Sequence, residues 1–375
     1  MKNTETTDRV APRPEVLDAP AVPHGAPDYA ELETLGLQPE EVIDFSVNGN
    51  PYGPPPGVRE ALESVPLARY PDRESLAFRR AVSSRLDVPP ERILVGNGTA
   101  ELIWLIALTF VRSGDHALVL EPTFGEYARA VSLMGGQVTT WRARPNDGFS
   151  VQPEEIRHQL DHLRPRLVFL CNPNNPTGAA VPSSTIAAWA EAFPDTLFVV
   201  DEAYHTFADR GDAEKARELS SAAGLAAPNV VTLRSMTKDY ALAGLRLGYL
   251  VAREEVADAI ARVRPPWNVN AMAQAAGVAA LRHANYVSQC VARLHEHKIS
   301  LVTEVAAMGL EPAPSRTHFF LIRVGDAAAY RRALLARRIQ VRDCASFGLP
   351  AYVRVATLRP PENAQLIEAL RDIVT

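Results

Sequence analysis

Cysteine is scarce: three in 375 residues, Cys171, Cys290 and Cys344, far apart and in no CxxC or histidine-rich pattern. That spacing excludes a disulfide framework and supplies no zinc-ligand set, so the thiols read as ordinary reduced side chains and no metal is expected. Long apolar runs are missing too. No stretch approaches the roughly 18 residues of a membrane-spanning helix, and the opening MKNTETTDRVAPRPEVLDAP lacks the apolar core of a secretion signal. A cytoplasmic protein with no membrane partner is the expectation. Blocks of like charge are also absent: 39 Lys and Arg against 44 Asp and Glu leave a formal charge of −5 spread along the chain, which argues against nucleic acid as a partner. There are no internal repeats, and the one biased segment, NPYGPPPG, is a rigid turn by composition.

What is present is a chain with 47% hydrophobic residues, long enough for a large domain and a smaller one. The polar, proline-bearing residues 1–23 read as a disordered lead-in, and residues 24–57 as an N-terminal segment packing with the small domain. From 58 to 263 short apolar runs (HALVL, RLVFL, TLFVV, NVVTL) alternate with helical patterns such as STIAAWAEAF. This predicts βα repeats around a mostly parallel sheet, an α/β fold. Residues 264–375 change character: a helical stretch from about Ala271 to Met308, then THFFLIRV, AAAYRRALLARR, IQVRDC and YVRVA, predict a separate α+β domain.

Ligands of open parallel sheets gather at the carboxyl ends of strands, so the polar residues after each apolar run are the candidates. In LVGNGTAELIW, Gly96 and Gly98 follow a strand and Thr99 opens a helix, a form suited to a phosphate and equally to a plain tight turn. FLCNPNNPTG ends a strand in a turn exposing Asn172, Asn174 and Asn175, more amides than a turn requires. FVVDEAYHTF puts Asp201 at the end of an apolar strand, where a carboxylate either caps a helix or meets a cation. RSMTKDYALAGLRLGY sets Ser235 three residues before Lys238 and Arg246 eight after it.

Taken in this order, the four segments resemble the class I/II aminotransferases, fold-type I enzymes that use pyridoxal 5'-phosphate, from about His24 to the C-terminus. The resemblance implies a large, mostly parallel α/β/α domain and a smaller α+β domain. It implies that Lys238 forms the Schiff base with the cofactor aldehyde and shuttles protons, and that Asp201 pairs with the pyridine nitrogen. Tyr204 and Asn175 would bond the phenolic oxygen, Phe124 would stack on the ring, and Ser235, Arg246 and the amides of Thr99 and Ala100 would hold the phosphate. Tyr70 matches a position that reaches the neighbouring subunit's cofactor, so a homodimer is expected.

Two branches are most similar, both with phosphorylated substrates: L-threonine-O-3-phosphate decarboxylase of cobalamin synthesis and histidinol-phosphate aminotransferase. The lead His24-Gly25, then Asn48 in DFSVNGNP, Trp267 in PPWNVN and Arg342 in VRDC favour the decarboxylase. Its matching substrate residues are His24, Gly25, Asn48, Asn175, Arg342 and Arg354, the arginines offering forked donors to a carboxylate and a phosphate. The expected reaction is therefore decarboxylation of O-phospho-L-threonine to 1-aminopropan-2-yl phosphate; the alternative is an aminotransferase of the histidinol-phosphate type using 2-oxoglutarate. Two segments depart from pattern: HGAPDY replaces the decarboxylase's HGGN, and in VATLRPPEN Leu358 stands where the aminotransferase tends to have glycine.

Overall fold

The computed structural model describes residues 11–17, 19, 22–23, 25–209, 211 and 213–374. Its strands are β1 (Ile43–Asp44), β2 (Ile93–Gly96), β3 (His116–Glu121), β4 (Gln137–Arg142), β5 (Leu167–Cys171), β6 (Leu197–Asp201), β7 (Val230–Ser235), β8 (Gly248–Val251), β9 (Glu311–Pro312), β10 (Phe319–Arg323), β11 (Ile339–Gln340), β12 (Arg342–Asp343) and β13 (Tyr352–Ala356). Seven form the main sheet in the order β2-β8-β7-β6-β5-β3-β4, parallel except for β8, which runs against both β7 and β2. The apolar runs of the sequence are the central strands, buried on both faces as a parallel sheet covered by helices requires.

Alternation of side chains along those strands divides the interior in two. Val119, Leu167, Phe169, Val199, Val231 and Leu233 join one core with the helices Gly98–Phe110, Glu126–Leu133, Glu254–Ala261 and Ala271–Leu281. Leu118, Val168, Leu170, Phe198 and Val200 join the other with the helices Pro153–Leu163 and Ser183–Ala192. The result is a three-layer α/β/α body, the α/β class read from the sequence. The helical stretch after Pro265 is broken: Asn270 caps Ala271–Leu281 through its side chain, and a second helix, Ala284–Ala307, follows.

A second, antiparallel sheet has the order β12-β13-β10-β9. Phe320, Ile322, Val353 and Val355 pack on the helices Ala284–Ala307, Ala327–Leu335 and Pro360–Val374, while Phe319 and Leu321, on alternate positions, reach the two cores of the main body. The N-terminal segment stitches the two sheets together. β1 pairs in parallel with β11, the Phe45 carbonyl accepts from Ala356 N–H (3.0 Å), and Asn50 N–H donates to the Lys238 carbonyl (2.9 Å). Earlier still, Pro14–Leu17 forms one helical turn and Arg13 donates to the Leu133 carbonyl; positions 1–10, 18, 20 and 21 of the expected lead-in lie outside the described residues. No helix among the described residues is long and apolar enough to cross a membrane.

Candidate active site

A cavity of about 270 Å³ opens at the carboxyl ends of β5, β6 and β7, roofed by the N-terminal segment and the smaller sheet. Of the residues singled out in the sequence, Thr99, Ala100, Phe124, Asn175, Asp201, Tyr204, Ser235, Lys238 and Arg246 line it, together with Gly25, Asn48, Arg342 and Arg354. Tyr70 does not. It is 79% exposed and stacks on Trp267, with ring centroids 4.6 Å apart. His24 lies outside the described residues.

Lys238 follows β7 in a loop whose Ala241 and Arg246 adopt φ of 54° and 59°. Its carbonyl accepts from Asn50 and Ala241, fixing the backbone from both sides. Desolvation, then the guanidinia of Arg354 and Arg246, push the ammonium pKa down to about 8, which makes Nζ a usable base near neutrality.

Asp201 is the last residue of β6 and is buried. Burial raises its pKa, while Tyr127 Oη, donating at 2.7 Å, and the Ala203 amide at 3.0 Å work the other way. Both donors are neutral, so a cationic ring N–H would find an acceptor short of positive charge. Tyr127 is held in place by stacking on Phe169 (5.1 Å, 6° between planes) and by the edge of Phe124 (5.7 Å).

At the other end of the cavity the helix Gly98–Phe110 points its N-terminus inward. Gly98 has φ 76°, and a Cβ there would stand 2.9 Å from the Arg246 guanidinium, so glycine is what allows this arginine beside the open amides. Ser235 Oγ and Thr237 Oγ1 share a hydrogen bond of 2.7 Å on the same wall. Together these groups form an anion cradle.

Arg354, buried in β13, donates to Asn175 Oδ1 and to the Ser46 carbonyl and lies over the Phe319 ring at 5.6 Å. Desolvation lowers its pKa, yet a guanidinium stays charged. Tyr204 stands edge-on to Phe319 (5.0 Å), and burial raises its hydroxyl to about 12. The Asn48 carboxamide sits beside that hydroxyl and counters the rise slightly, but neither of its polar atoms completes a protein hydrogen bond. Gly25 fits because a Cβ would press 2.9 Å from the Ser46 carbonyl. Arg342 spans the rim, donating at 2.7 Å to both the Pro23 carbonyl and Ser346 Oγ. Ala26, in the HGAPDY departure, takes φ 91° and donates to Ser46 Oγ, so the backbone bends as a glycine would despite its side chain.

Sequence reasoning missed Tyr127, Thr237 and Ser46. Tyr127 reads as a core aromatic of an amphipathic helix, and no spacing signals the hydroxyl beneath Asp201. Thr237 could have been found, since it immediately precedes the lysine.

The donor set fits pyridoxal 5'-phosphate: a buried carboxylate with only neutral donors, a guanidinium beside a helix N-terminus, and a lysine lining the same cavity. Comparison with known proteins agrees. The family model for aminotransferase class I and II matches residues 40–370. Histidinol-phosphate aminotransferase of Moorella thermoacetica is 34% identical over 95% of this chain and 90% of its own length. The histidinol-phosphate aminotransferase of Sinorhizobium meliloti, solved in complex with pyridoxal-5'-phosphate, superposes with a TM-score of 0.84 at 26% identity, covering 96% of each chain. L-threonine-O-3-phosphate decarboxylase of Porphyromonas gingivalis superposes with a TM-score of 0.77 at 28% identity, over 89% of this chain and 99% of that one.

These findings overturn decarboxylation of O-phospho-L-threonine, and with it the cobalamin assignment, as the reading of this chain: relatives matching most of its length at 33–37% identity are histidinol-phosphate aminotransferases. The physical reason is that the residues taken as diagnostic do not discriminate. Trp267 packs on Tyr70 and does not line the cavity, Gly25, Asn48 and Arg342 line it without marking one reaction over the other, and His24 lies outside the described residues. The departure at Leu358 also lies away from the site, buried in the small sheet's core with its amide held by Asn363. The chain belongs to the class I and II aminotransferases, enzymes that use pyridoxal 5'-phosphate.

Proposed function

We propose that this enzyme moves an amino group from a phosphorylated amino alcohol of the histidinol-phosphate type to 2-oxoglutarate, giving the corresponding phosphorylated carbonyl compound and glutamate. The observation that carries the proposal is the pair of cationic groups that share the cavity of Lys238 and act on it, Arg246 at the helix N-terminus and Arg354 bonded to Asn175 and Ser46. One suits the cofactor's phosphate. The other suits an anion on the substrate, a phosphate in the donor or a carboxylate in glutamate. The names and coverage of the relatives support the same donor.

In this reading Arg246, Ser235 and the amides of Thr99 and Ala100 hold the cofactor phosphate, with Thr237 beside them. Asp201 would hold the proton of the ring nitrogen, Tyr204 and Asn175 would bond the phenolic oxygen, and Phe124 would cover a ring face. Pyridoxal phosphate supplies the electron-withdrawing system that makes the hydrogen on the amine-bearing carbon removable. Lys238 Nζ takes and returns that proton, a task suited to an amine of pKa about 8. Arg354, Arg342, Asn48 and Gly25 orient the substrate, while exposed Tyr70 is offered to the cavity of a second copy in a homodimer.

The test is glutamate formation, followed by mass spectrometry, from histidinol phosphate and 2-oxoglutarate with the cofactor-loaded protein. Saturable formation is expected, with kcat/KM falling on the order of 100-fold for phosphate-free histidinol, the size of a lost charge-assisted contact. Glutamate forming no faster than with the Lys238→Ala variant, or equal use of the phosphate-free amine, rejects the proposal.

A further inference from the structure

Three residues of the site share a peptide bond with a charged residue that turns away from the cavity: Asp201 with Glu202, Ser235 with Arg234, and Lys238 with Asp239. The three outward partners meet. Arg234 Nη1 lies 3.3 Å from the buried Glu202 carboxylate, and Asp239 and the Tyr249 hydroxyl act on the same guanidinium. Glu202 also accepts from Ser221 Oγ (2.6 Å) and the Ala222 amide (2.7 Å), and Asp239 from Thr206 Oγ1 (2.7 Å) and the Tyr240 amide (3.0 Å). A polar cavity of about 40 Å³ runs among Arg85, Glu202, Thr206, Arg234, Asp239 and Tyr249, room for a water but not a substrate. None of the three charged partners lines the large cavity.

The geometry points to Arg234 as a positioning residue: with Glu202 and Asp239 it forms a buried ion layer that sets where the backbone presents Lys238, Ser235 and Asp201. The layer binds the end of β6 to the end of β7 and to the lysine loop by charge, at the edge where strand pairing stops. Asn50 completes it from above, its amide on the Lys238 carbonyl and its side chain on the Asp239 carbonyl (3.1 Å). A purely apolar filling would pack this space without tying the lysine loop by charge to the ends of β6 and β7. Misplacement of a reacting group by about 1 Å costs on the order of 100-fold in rate.

The inference rests on the proposed roles of the site residues, so the first arm of its test uses neither substrate nor cofactor. In the cofactor-free full chain, Arg234→Met is expected to speed amide hydrogen exchange at Asn50 and Ala241, the two donors to the Lys238 carbonyl, by about tenfold or more, while β10 and β13 keep their rates. In the loaded enzyme the same variant should lower kcat about tenfold or more with KM changed less than about twofold, and Arg234→Lys should recover part of the loss. If Arg234→Met fails to fold, the charge-balanced Arg234→Met/Asp239→Asn chain is measured in the same way. Exchange at Asn50 and Ala241 unchanged, or exchange rising equally throughout the molecule, overturns the inference; failure with histidinol phosphate leaves the exchange result standing.

Discussion

Tyr127→Phe removes a single oxygen from the floor of the site. The ring keeps its stack on Phe169 and its contact with Phe124, so the change isolates the 2.7 Å hydrogen bond to Asp201. A hydrogen bond to a charged group contributes about 1.5–3 kcal/mol, and here both partners are buried, so water does not replace it. The bond favours the ionised carboxylate, and its loss raises an Asp201 pKa that burial already holds above the ordinary value. At about 1.4 kcal/mol per decade, cofactor affinity at neutral pH should fall roughly 10- to 100-fold. The sign with pH follows. A folded-state carboxyl pKa above the unfolded one makes stability decline as pH rises past the unfolded value near 3.8, and the decline runs on to higher pH in the variant than in the parent. Cofactor binding, which needs the ionised form, instead improves as pH rises, with its midpoint displaced upward in the variant. Titration of the apo-protein with pyridoxal phosphate at several pH values, read by absorbance, checks both the size and the displacement. Equal affinities and superimposable pH curves for the two proteins would refute the role given to this bond.

Further expectations bear on the other walls of the cavity. Amino transfer should rise with pH through about 8 as Lys238 Nζ loses its proton; because this pKa is depressed, the stability the group contributes is full above 10.5 and lost as pH falls through about 8, which pH-dependent unfolding of the apo-protein can follow. Gly98→Ala combines a positive φ with a Cβ 2.9 Å from the Arg246 guanidinium, and should weaken cofactor retention by about tenfold, measured by dialysis, as the arginine is pushed off the helix N-terminus. Arg354→Lys keeps the charge but loses the fork shared by Asn175 and the Ser46 carbonyl, so kcat/KM for the phosphorylated donor should drop by about tenfold or more, and equality with the parent would remove Arg354 from substrate binding.

The parallel body was readable because its signal is local: an apolar run, a polar residue at the strand's end, then a helical pattern. Asp201 and Ser235 could be placed at the sheet edge on that basis alone. The site's second half is assembled from distance. Arg354 bonds across 179 residues to Asn175 and across 308 to Ser46, a geometry no spacing encodes. The choice of reaction failed for a related reason: a guanidinium that receives a phosphate looks the same in sequence whichever bond at the neighbouring carbon is then broken. Trp267 misled differently: chosen for the resemblance of PPWNVN to one branch, it stacks on exposed Tyr70 and does not line the cavity.

The stitching of β1 to β11, and of the Phe45 carbonyl to Ala356, has a bearing on biosynthesis. A ribosome that has emitted the chain as far as Val251 has supplied every strand of the main sheet, yet not the surfaces that receive residues 43–46. The segment that braces the lysine loop must wait, on the nascent chain, for partners nearly 300 residues downstream. The catalytic pocket is thus completed only near the end of translation, whereas the sheet beneath it can form as synthesis proceeds. A chain interrupted at Val251 carries the lysine, the aspartate and the helix N-terminus in sequence, and lacks both the β10–β13 sheet that roofs the cavity and the helix Ala271–Leu281 that fills the core beneath it.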